Sequence, residues 1–240
     1  EKNTGFLASA LGFSAGVMIY VSFFEILRKA RESLVFELGT INGEWALVLS
    51  FFLGIIIMAI LDELLPNSTN TMEIKSLKSG SKSKKGTINK KKLMRVGIYT
   101  TLAIAIHNFP EGIATFTAGL KEVSIGATMA LAIGIHNIPE GMVIAIPIFF
   151  ATGNRKVAFL FTLFAGLAQP AAAILCYFFL LNYLSNVLFG IIFSIAGGIM
   201  VFISMNELLP CAMEYGENHQ VIYGLISGMV LMAIIFLIFI

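Results

Sequence analysis

Long apolar stretches separated by short polar breaks run along most of the chain. A helix that crosses a bilayer needs about 20 mostly apolar residues. By that measure the pattern predicts seven membrane-spanning helices, the longer of which must tilt or bend. They cover residues 4–27, 46–65, 93–119, 122–150, 155–182, 185–209 and 220–240. We therefore predict an all-α, polytopic membrane helical bundle that forms a single transmembrane domain over residues 1–240.

The composition is that of a membrane protein. Hydrophobic residues make up 58% of the 240 residues, and charged residues make up only 12%. Such a chain is too apolar for an ordinary soluble domain. We expect a multi-pass protein of the cell membrane (the inner, or plasma, membrane) that is surrounded by the lipid bilayer, and we expect no nucleic-acid partner.

Much of the positive charge is concentrated in one segment. Residues from about 66 to 92 are rich in Ser, Gly and Lys. Because Lys and Arg favour the cytoplasmic side of a membrane, this segment is predicted to be a flexible cytoplasmic loop, which places the C-terminus outside. A solvated, disordered linker explains the composition. Binding of lipid headgroups or a regulatory role is the alternative.

A polar motif occurs inside two of the apolar helices. The stretch "IAIHNFPEGIATF" at 104–116 returns as "IGIHNIPEGMVIA" at 133–145. Residues three or four apart share one face of a helix, so each motif presents a His, an Asn and a Glu to a common side. These residues are His107, Asn108, Glu111, His136, Asn137 and Glu140.

The two motif helices run antiparallel if the connection at 119–123 is a tight turn. His107 then lies level with Glu140, and Glu111 lies level with His136, near the bilayer centre. Ionisable side chains at that depth are costly unless paired or hydrated, so they indicate function. One divalent cation neutralises two facing carboxylates, and imidazole with carboxylate suits zinc, iron, manganese or cobalt. A polar packing contact between the helices is the alternative.

A proline lies within each motif, at Pro110 and Pro139. Proline removes a backbone donor, which leaves the carbonyls of Ile106 and Ile135 without their helical partners. Interrupted helices at corresponding positions are typical of the substrate sites of transporters. The prolines therefore favour a transport site over a packing contact.

Two further residues are candidate ligands. Gln169 precedes a proline in the middle of the fifth predicted helix. Its amide either binds a metal or forms a hydrogen bond to another helix. Met18 in the first helix offers a thioether, which is either a soft, weak ligand or part of the core packing.

Acidic residues near helix ends are candidate entrance and exit positions. Glu25, at the outer end of the first helix, either collects cations at the outer mouth or is an ordinary interfacial charge. "LDELLP" at 61–66 and "MNELLP" at 205–210 both end helices that run inward. A cation leaving the protein can pause there, although a charged helix end before a proline stop is the alternative. The carboxylates at this predicted inner mouth are Asp62, Glu63 and Glu207.

The motifs "HNFPEG" (107–112) and "HNIPEG" (136–141) resemble the signature of ZIP (Zrt-, Irt-like) metal transporters, and the sequence is similar to the bacterial zinc-uptake, ZupT-like branch. The resemblance covers essentially the whole chain, including "LGFSAGVM", "GLAQ" and "NELLP". It implies eight helices with both termini outside. Since the chain begins where the family's second helix would, the first helix is expected to be missing from this sequence. The resemblance also implies a homodimer and an elevator-like movement of the binding helices against a scaffold.

The resemblance further implies a two-metal centre. One site takes His107, Glu111, His136 and Glu140. The neighbouring site takes Asn108, Asn137, Gln169 and Met18, with the glutamates as bridges. Many family members have Glu at the position of Gln169, so this difference weakens the expectation of a fully occupied second site.

We therefore expect a divalent metal transporter that imports zinc, and also iron, manganese, cobalt or cadmium, into the cytoplasm. The metal is cargo, and no catalytic cofactor or enzyme activity is expected. A membrane metal sensor or binding protein that uses the same site without transport is the main alternative. An intramembrane metalloenzyme is disfavoured because the His-Glu-x-x-His and Glu-x-x-His ligand patterns of such enzymes are missing.

Overall fold

The structure, a computed structural model, describes residues 4–64, 89–121, 123–180 and 185–238. A few side chains within those ranges, including that of His136, lie outside the description. Most of the predicted cytoplasmic loop at 66–92 also lies outside the described residues. The described part of the chain is almost entirely helical, which confirms the predicted all-α class.

The helices follow the order of the predicted spans. α1 (Thr4–Val21) continues through a π-helical turn (Ser22–Ile26) into α2 (Leu27–Leu64). α3 covers Lys90–Lys121, α4 covers Val123–Thr152, and α5 covers Arg155–Leu175 before a second π-helical turn (Cys176–Leu180). α6 (Asn186–Ile203) leads through a third π-helical turn (Ser204–Leu208) into the short α7 (Leu209–Tyr215), and α8 covers Asn218–Ile238.

The helices that contain the first two predicted spans extend beyond the predicted bounds. The residues predicted to connect them are helical, and the reversal occurs at Gly39, with φ 77° and ψ 167°. That positive φ favours glycine, and it lets the chain fold back so that Gly43 lies against the backbone of Val35. The helices extend past the apolar stretch because the charged side chains here are exposed and paired. Arg31, for example, forms an ion pair with Glu44 across the turn at 2.5 Å.

The helices pack in two groups. α1 packs along α8, and α2 packs along α6, whereas α3 packs against α4 and α5. Glycines bring the helices of the first group close together: Gly16 of α1 lies against the carbonyl of Leu225, and Gly198 of α6 lies against that of Phe51. Small residues of this kind are typical of helix interfaces in membranes. All residues of the two polar motifs therefore lie in the second group, which consists of α3, α4 and α5.

Five segments of the described chain are long and apolar enough to cross a membrane. They are Thr4–Glu63, Ile133–Thr152, Arg155–Phe179, Asn186–Tyr215 and Asn218–Ile238. The first segment contains two of the seven predicted spans, on either side of Gly39. α3 corresponds to the remaining span, but its initial lysines and its polar motif make it less apolar than the others.

Candidate metal centre

The first motif places three polar side chains in the interior of the bundle. His107, Asn108 and Glu111 on α3 are only 0%, 2% and 1% exposed. Glu140 on α4 is 1% exposed and completes this group from the second motif. Carboxylates buried this deeply require a compensating positive charge. The buried carboxylates of this group therefore need a nearby cation to balance their negative charge.

The His107 imidazole lies between the two carboxylates. Its Nε2 atom is 3.6 Å from Oε1 of Glu111 and 3.5 Å from Oε1 of Glu140. Two ligand atoms bonded to one tetrahedral zinc at 2.0–2.1 Å are about 3.3–3.4 Å apart. The observed separations are a few tenths of an ångström longer, so a small closure of these side chains would suffice to bind one ion.

The fourth predicted ligand, His136, is placed by its backbone alone. It lies in α4, one helical turn before Glu140, but its side chain is outside the description. Among the side chains that are described, no group of three or more His, Cys, Asp or Glu residues is arranged to hold a metal ion as it stands. The structure thus shows directly that His107 lies at the same height as Glu140. That Glu111 lies at the same height as His136 stays a prediction.

Several buried polar atoms at this centre have no hydrogen-bond partner among the described residues. They are Nδ1 and Nε2 of His107, Oδ1 of Asn108, Oδ1 of Asn137 and both carboxylate oxygens of Glu140. A buried polar group without a partner costs about 1–3 kcal/mol, so proteins rarely retain several together unless a ligand, ion or water completes them. These atoms are all oxygen or nitrogen donors suited to a divalent cation.

Gln169 on α5 links both motifs through its amide. Its Nε2 donates to Oε2 of Glu111 at 3.0 Å, and its Oε1 accepts from Nδ2 of Asn137 at 3.0 Å. These bonds agree with the second of its two predicted roles, a hydrogen bond to other helices, and its role as a metal ligand stays a prediction. This contact requires glycine at 112, because a Cβ there would lie 2.2 Å from the carbonyl oxygen of Gln169.

Two cavities adjoin the centre on opposite sides. Asn108, Asn137 and Glu140 line one of about 70 Å³. Another of about 280 Å³ is lined by Thr115, Gln169 and other residues nearer the far ends of the helices. Nδ2 of Asn108 donates to the Ala165 carbonyl at 3.1 Å, which fixes the direction of the amide. The volume of the smaller cavity is enough for a few water molecules.

Glu25, the candidate entrance residue, is buried, and its role stays a prediction. It is 5% exposed, and the π-helical turn Ser22–Ile26 turns it inward while its neighbours Phe23 and Phe24 stay exposed. Its Oε1 accepts a hydrogen bond from Nζ of Lys29 at 2.6 Å. The charge of Glu25 interacts with His107, and that of Lys29 interacts with Glu111, so this pair adjoins the metal centre.

The predicted inner-mouth carboxylates divide into two kinds. Asp62 and Glu207 both form ion pairs with Arg95 of α3, the second at 3.4 Å. Nδ2 of Asn206 also donates to Asp62 at 3.3 Å. Glu63, in contrast, is exposed. Arg95 thus connects the end of α2 and the π-helical turn after α6 with the start of α3.

The other predicted ligand, Met18, is fully buried in the main hydrophobic cluster. Its position agrees with a packing role, and its role as a metal ligand stays a prediction. Both cysteines, Cys176 and Cys211, are buried free thiols.

Sequence reasoning missed Lys29, Arg95 and the π-helical turns. One sequence signal could have indicated two of these turns. "SFFEI" at 22–26 and "SMNEL" at 204–208 share a pattern in which a Ser is followed three residues later by a Glu. In both turns the Glu is buried and forms an ion pair. Glu25 pairs with Lys29, four positions along the chain, and Glu207 pairs with Arg95 on another helix. π-helical turns are frequent at functional sites because they rotate the following residues out of the regular helical pattern.

Comparison with known proteins identifies the family of this chain. The sequence profile of a family described as "ZIP Zinc transporter" matches residues 63–236. Three relatives, each named "Zinc transporter ZupT", cover 100% of this chain. That of Clostridium perfringens is 50% identical, with 88% of its length covered. That of Streptococcus mutans is 50% identical, with 89% covered, and that of Chlorobium chlorochromatii is 51% identical, with 88% covered.

Proposed function

Because this chain belongs to the ZIP zinc transporter family, we propose that it imports zinc into the cytoplasm through the centre around His107, Glu111 and Glu140. The chain is a multi-pass protein of the plasma membrane. The observation that carries the proposal is the convergence of buried imidazole, carboxylate and amide donors that have no hydrogen-bond partners among the described residues. Zinc is the cargo, and we propose no enzyme activity and no catalytic cofactor.

The balance of charge explains how the centre binds zinc within the membrane. A zinc ion that gives up its water to bind His107 and the two glutamates forms a complex in which two negative carboxylates balance the double positive charge. A neutral complex is far less costly in the apolar interior than either the ion or the carboxylates alone. The two motifs each supply one carboxylate, which explains why the pattern is needed twice.

The side-chain amides of Asn108 and Asn137 help to release the metal ion. Oδ1 of Asn108 and Oδ1 of Asn137 are neutral donors, and both residues line the small cavity beside Glu140. A cation that exchanges a carboxylate for an amide oxygen is held less strongly, so it can leave through that side. His136 completes the first site, and Asn108, Asn137, Gln169 and Met18 form the second, weaker position of a two-metal centre with the glutamates as bridges. The same ligand types accept iron, manganese, cobalt and cadmium, which we propose as competing substrates.

The packing supports an elevator-type movement. The proposed ligands lie in the group formed by α3, α4 and α5, except Met18, which lies in the group of α1, α2, α6 and α8. A movement of α3, α4 and α5 against the other helices carries the centre from one side of the membrane to the other, and Met18 is the one proposed ligand that does not move with it. Family membership supports a homodimer as the working unit.

Zinc uptake into proteoliposomes that contain an entrapped zinc dye tests the proposal. The purified protein is compared with its His107→Ala/Glu140→Ala variant. His219→Ala/Glu217→Ala is the matched control, because it removes the same residue types from exposed positions. We expect uptake by the protein and the control but not by the first variant. Equal uptake by all three proteins would place the transport site elsewhere, and zinc binding without uptake by the unchanged protein would favour the sensor alternative.

A further inference from the structure

Lys29 is a basic residue paired with the buried carboxylate of Glu25. Its Nζ atom lies 2.6 Å from Oε1 of Glu25, and only 26% of its side chain is exposed. Its charge also interacts with Glu111, one of the proposed ligands. The ammonium group is therefore paired with a buried carboxylate, and its charge also acts on a proposed ligand of the metal.

The three carboxylates in this region need more positive charge than one divalent cation supplies. Glu25, Glu111 and Glu140 are 5%, 1% and 1% exposed. Three negative charges in an apolar interior are strongly unfavourable unless cations compensate them. One ammonium group and one divalent cation together balance them. Lys29 is attached to α2, so it supplies this charge whenever the centre lies against that helix.

We propose that Lys29 is a tethered counter-ion of the metal centre: its ammonium group stabilises the centre while no metal is bound and lowers the affinity for the metal that enters. This inference rests on the proposed function and adds a residue that sets its affinity. The flexible four-carbon stem of lysine allows the ammonium group to stay with Glu25, or to move towards Glu111 when the metal leaves.

The consequence for transport is faster release. A transport site must bind its ion strongly enough to capture it and weakly enough to let it go. A fixed positive charge near Glu111 opposes a second positive charge at the same carboxylate. Lys29 is then a residue that tunes zinc affinity, without being a ligand itself.

The test compares zinc binding and uptake in Lys29→Gln and in Arg28→Gln. Arg28 is the neighbouring basic residue, and its pair with Glu32, at 3.9 Å, is exposed on both sides. Removing the unit positive charge of Lys29 from the neighbourhood of the metal should change zinc affinity at least about tenfold. We expect Lys29→Gln to bind zinc about tenfold more tightly in titration calorimetry and to show a lower KM and a lower maximal uptake rate. Arg28→Gln should change neither quantity more than about twofold, since exposed charges are screened.

A purely structural role of Lys29 predicts a different result, namely unchanged or weaker zinc binding in Lys29→Gln, and that result would overturn the inference. Glu111→Gln separates this failure from failure of the proposed function. If Glu111→Gln loses zinc binding while Lys29→Gln binds as the unchanged protein does, only the counter-ion role is wrong. If both variants bind zinc normally, the centre itself is wrong, and the inference falls with it.

A second pair of variants covers the case in which Lys29→Gln does not fold. Glu25→Gln leaves the charge of Lys29 uncompensated next to the centre and should weaken zinc binding about tenfold or more. Adding Lys29→Gln removes both charges together and should restore the affinity to within about threefold of the original, as in a double-mutant cycle. A double variant that binds zinc as weakly as Glu25→Gln would contradict the counter-ion role.

Discussion

Replacement of Gly112 by alanine tests how closely the contact between α3 and α5 controls the centre. An ideal Cβ at this position lies 2.2 Å from the carbonyl oxygen of Gln169 and 2.8 Å from its Cα and carbonyl carbon. Ordinary contact begins near 3.4 Å. The two helices must therefore separate by about 1 Å, because the obstacle is backbone and not the end of a flexible side chain.

That displacement breaks the link between Gln169 and the ligands. The hydrogen bond from Nε2 of Gln169 to Oε2 of Glu111 is 3.0 Å long. A 1 Å separation along this direction lengthens it to about 4 Å, beyond hydrogen-bonding range. Overpacking of this size costs about 1–3 kcal/mol, and a 1 Å misplacement of functional groups costs on the order of 100-fold in rate.

We expect Gly112→Ala to reduce zinc uptake by proteoliposomes about 10- to 100-fold and to lower the thermal midpoint of the purified protein. Gly134→Ala is the matched control, because a Cβ at Gly134 meets nothing within 4 Å. Alanine there should preserve uptake and slightly stabilise the helix. Uptake by Gly112→Ala at the level of Gly134→Ala would refute the reasoning that close packing of α3 on α5 positions Glu111.

Three further predictions concern ligands and ion pairs. Zinc binding requires neutral His107 and His136, so affinity measured by calorimetry should fall as falling pH protonates the imidazoles; a flat affinity between about pH 5.5 and 7.5 would argue against histidine ligands. Glu111→Ala should reduce zinc uptake more than Gln169→Ala, since it removes a charge that balances the cation; the reverse order would move the primary site towards Gln169. Arg95→Gln should destabilise the protein by about 1–2 kcal/mol in thermal unfolding, because it leaves two carboxylates without their shared partner; an unchanged midpoint would mean that these ion pairs are negligible.

Much of the architecture could be predicted from local pattern. Membrane helices have a strong signal because the bilayer requires long apolar runs and internally satisfied backbone groups. The paired motif could also be predicted from local sequence, since helical spacing alone places His107, Asn108 and Glu111 on one face. The antiparallel turn then brings Glu140 to His107, as the 3.5 Å separation shows.

The features that escaped prediction depend on backbone irregularity or on contacts between distant parts of the chain. Nothing local in the sequence shows that a π-helical turn buries Glu25 while Phe23 and Phe24 stay exposed. Arg95 finds Asp62 and Glu207 only after α2, α3 and α6 have packed. The full length of the helices around Gly39 was not predicted, because apolarity reports where a helix leaves the bilayer and not where the helix stops.

The most direct test of the central claim is X-ray absorption at the zinc edge of the purified, zinc-loaded protein. The account predicts nitrogen and oxygen ligands at about 2.0–2.1 Å, with scattering from imidazole, and loss of this signal in the His107→Ala/Glu140→Ala variant. A first shell dominated by sulfur at about 2.3 Å, or an unchanged spectrum in that variant, would show that zinc is bound away from the two motifs.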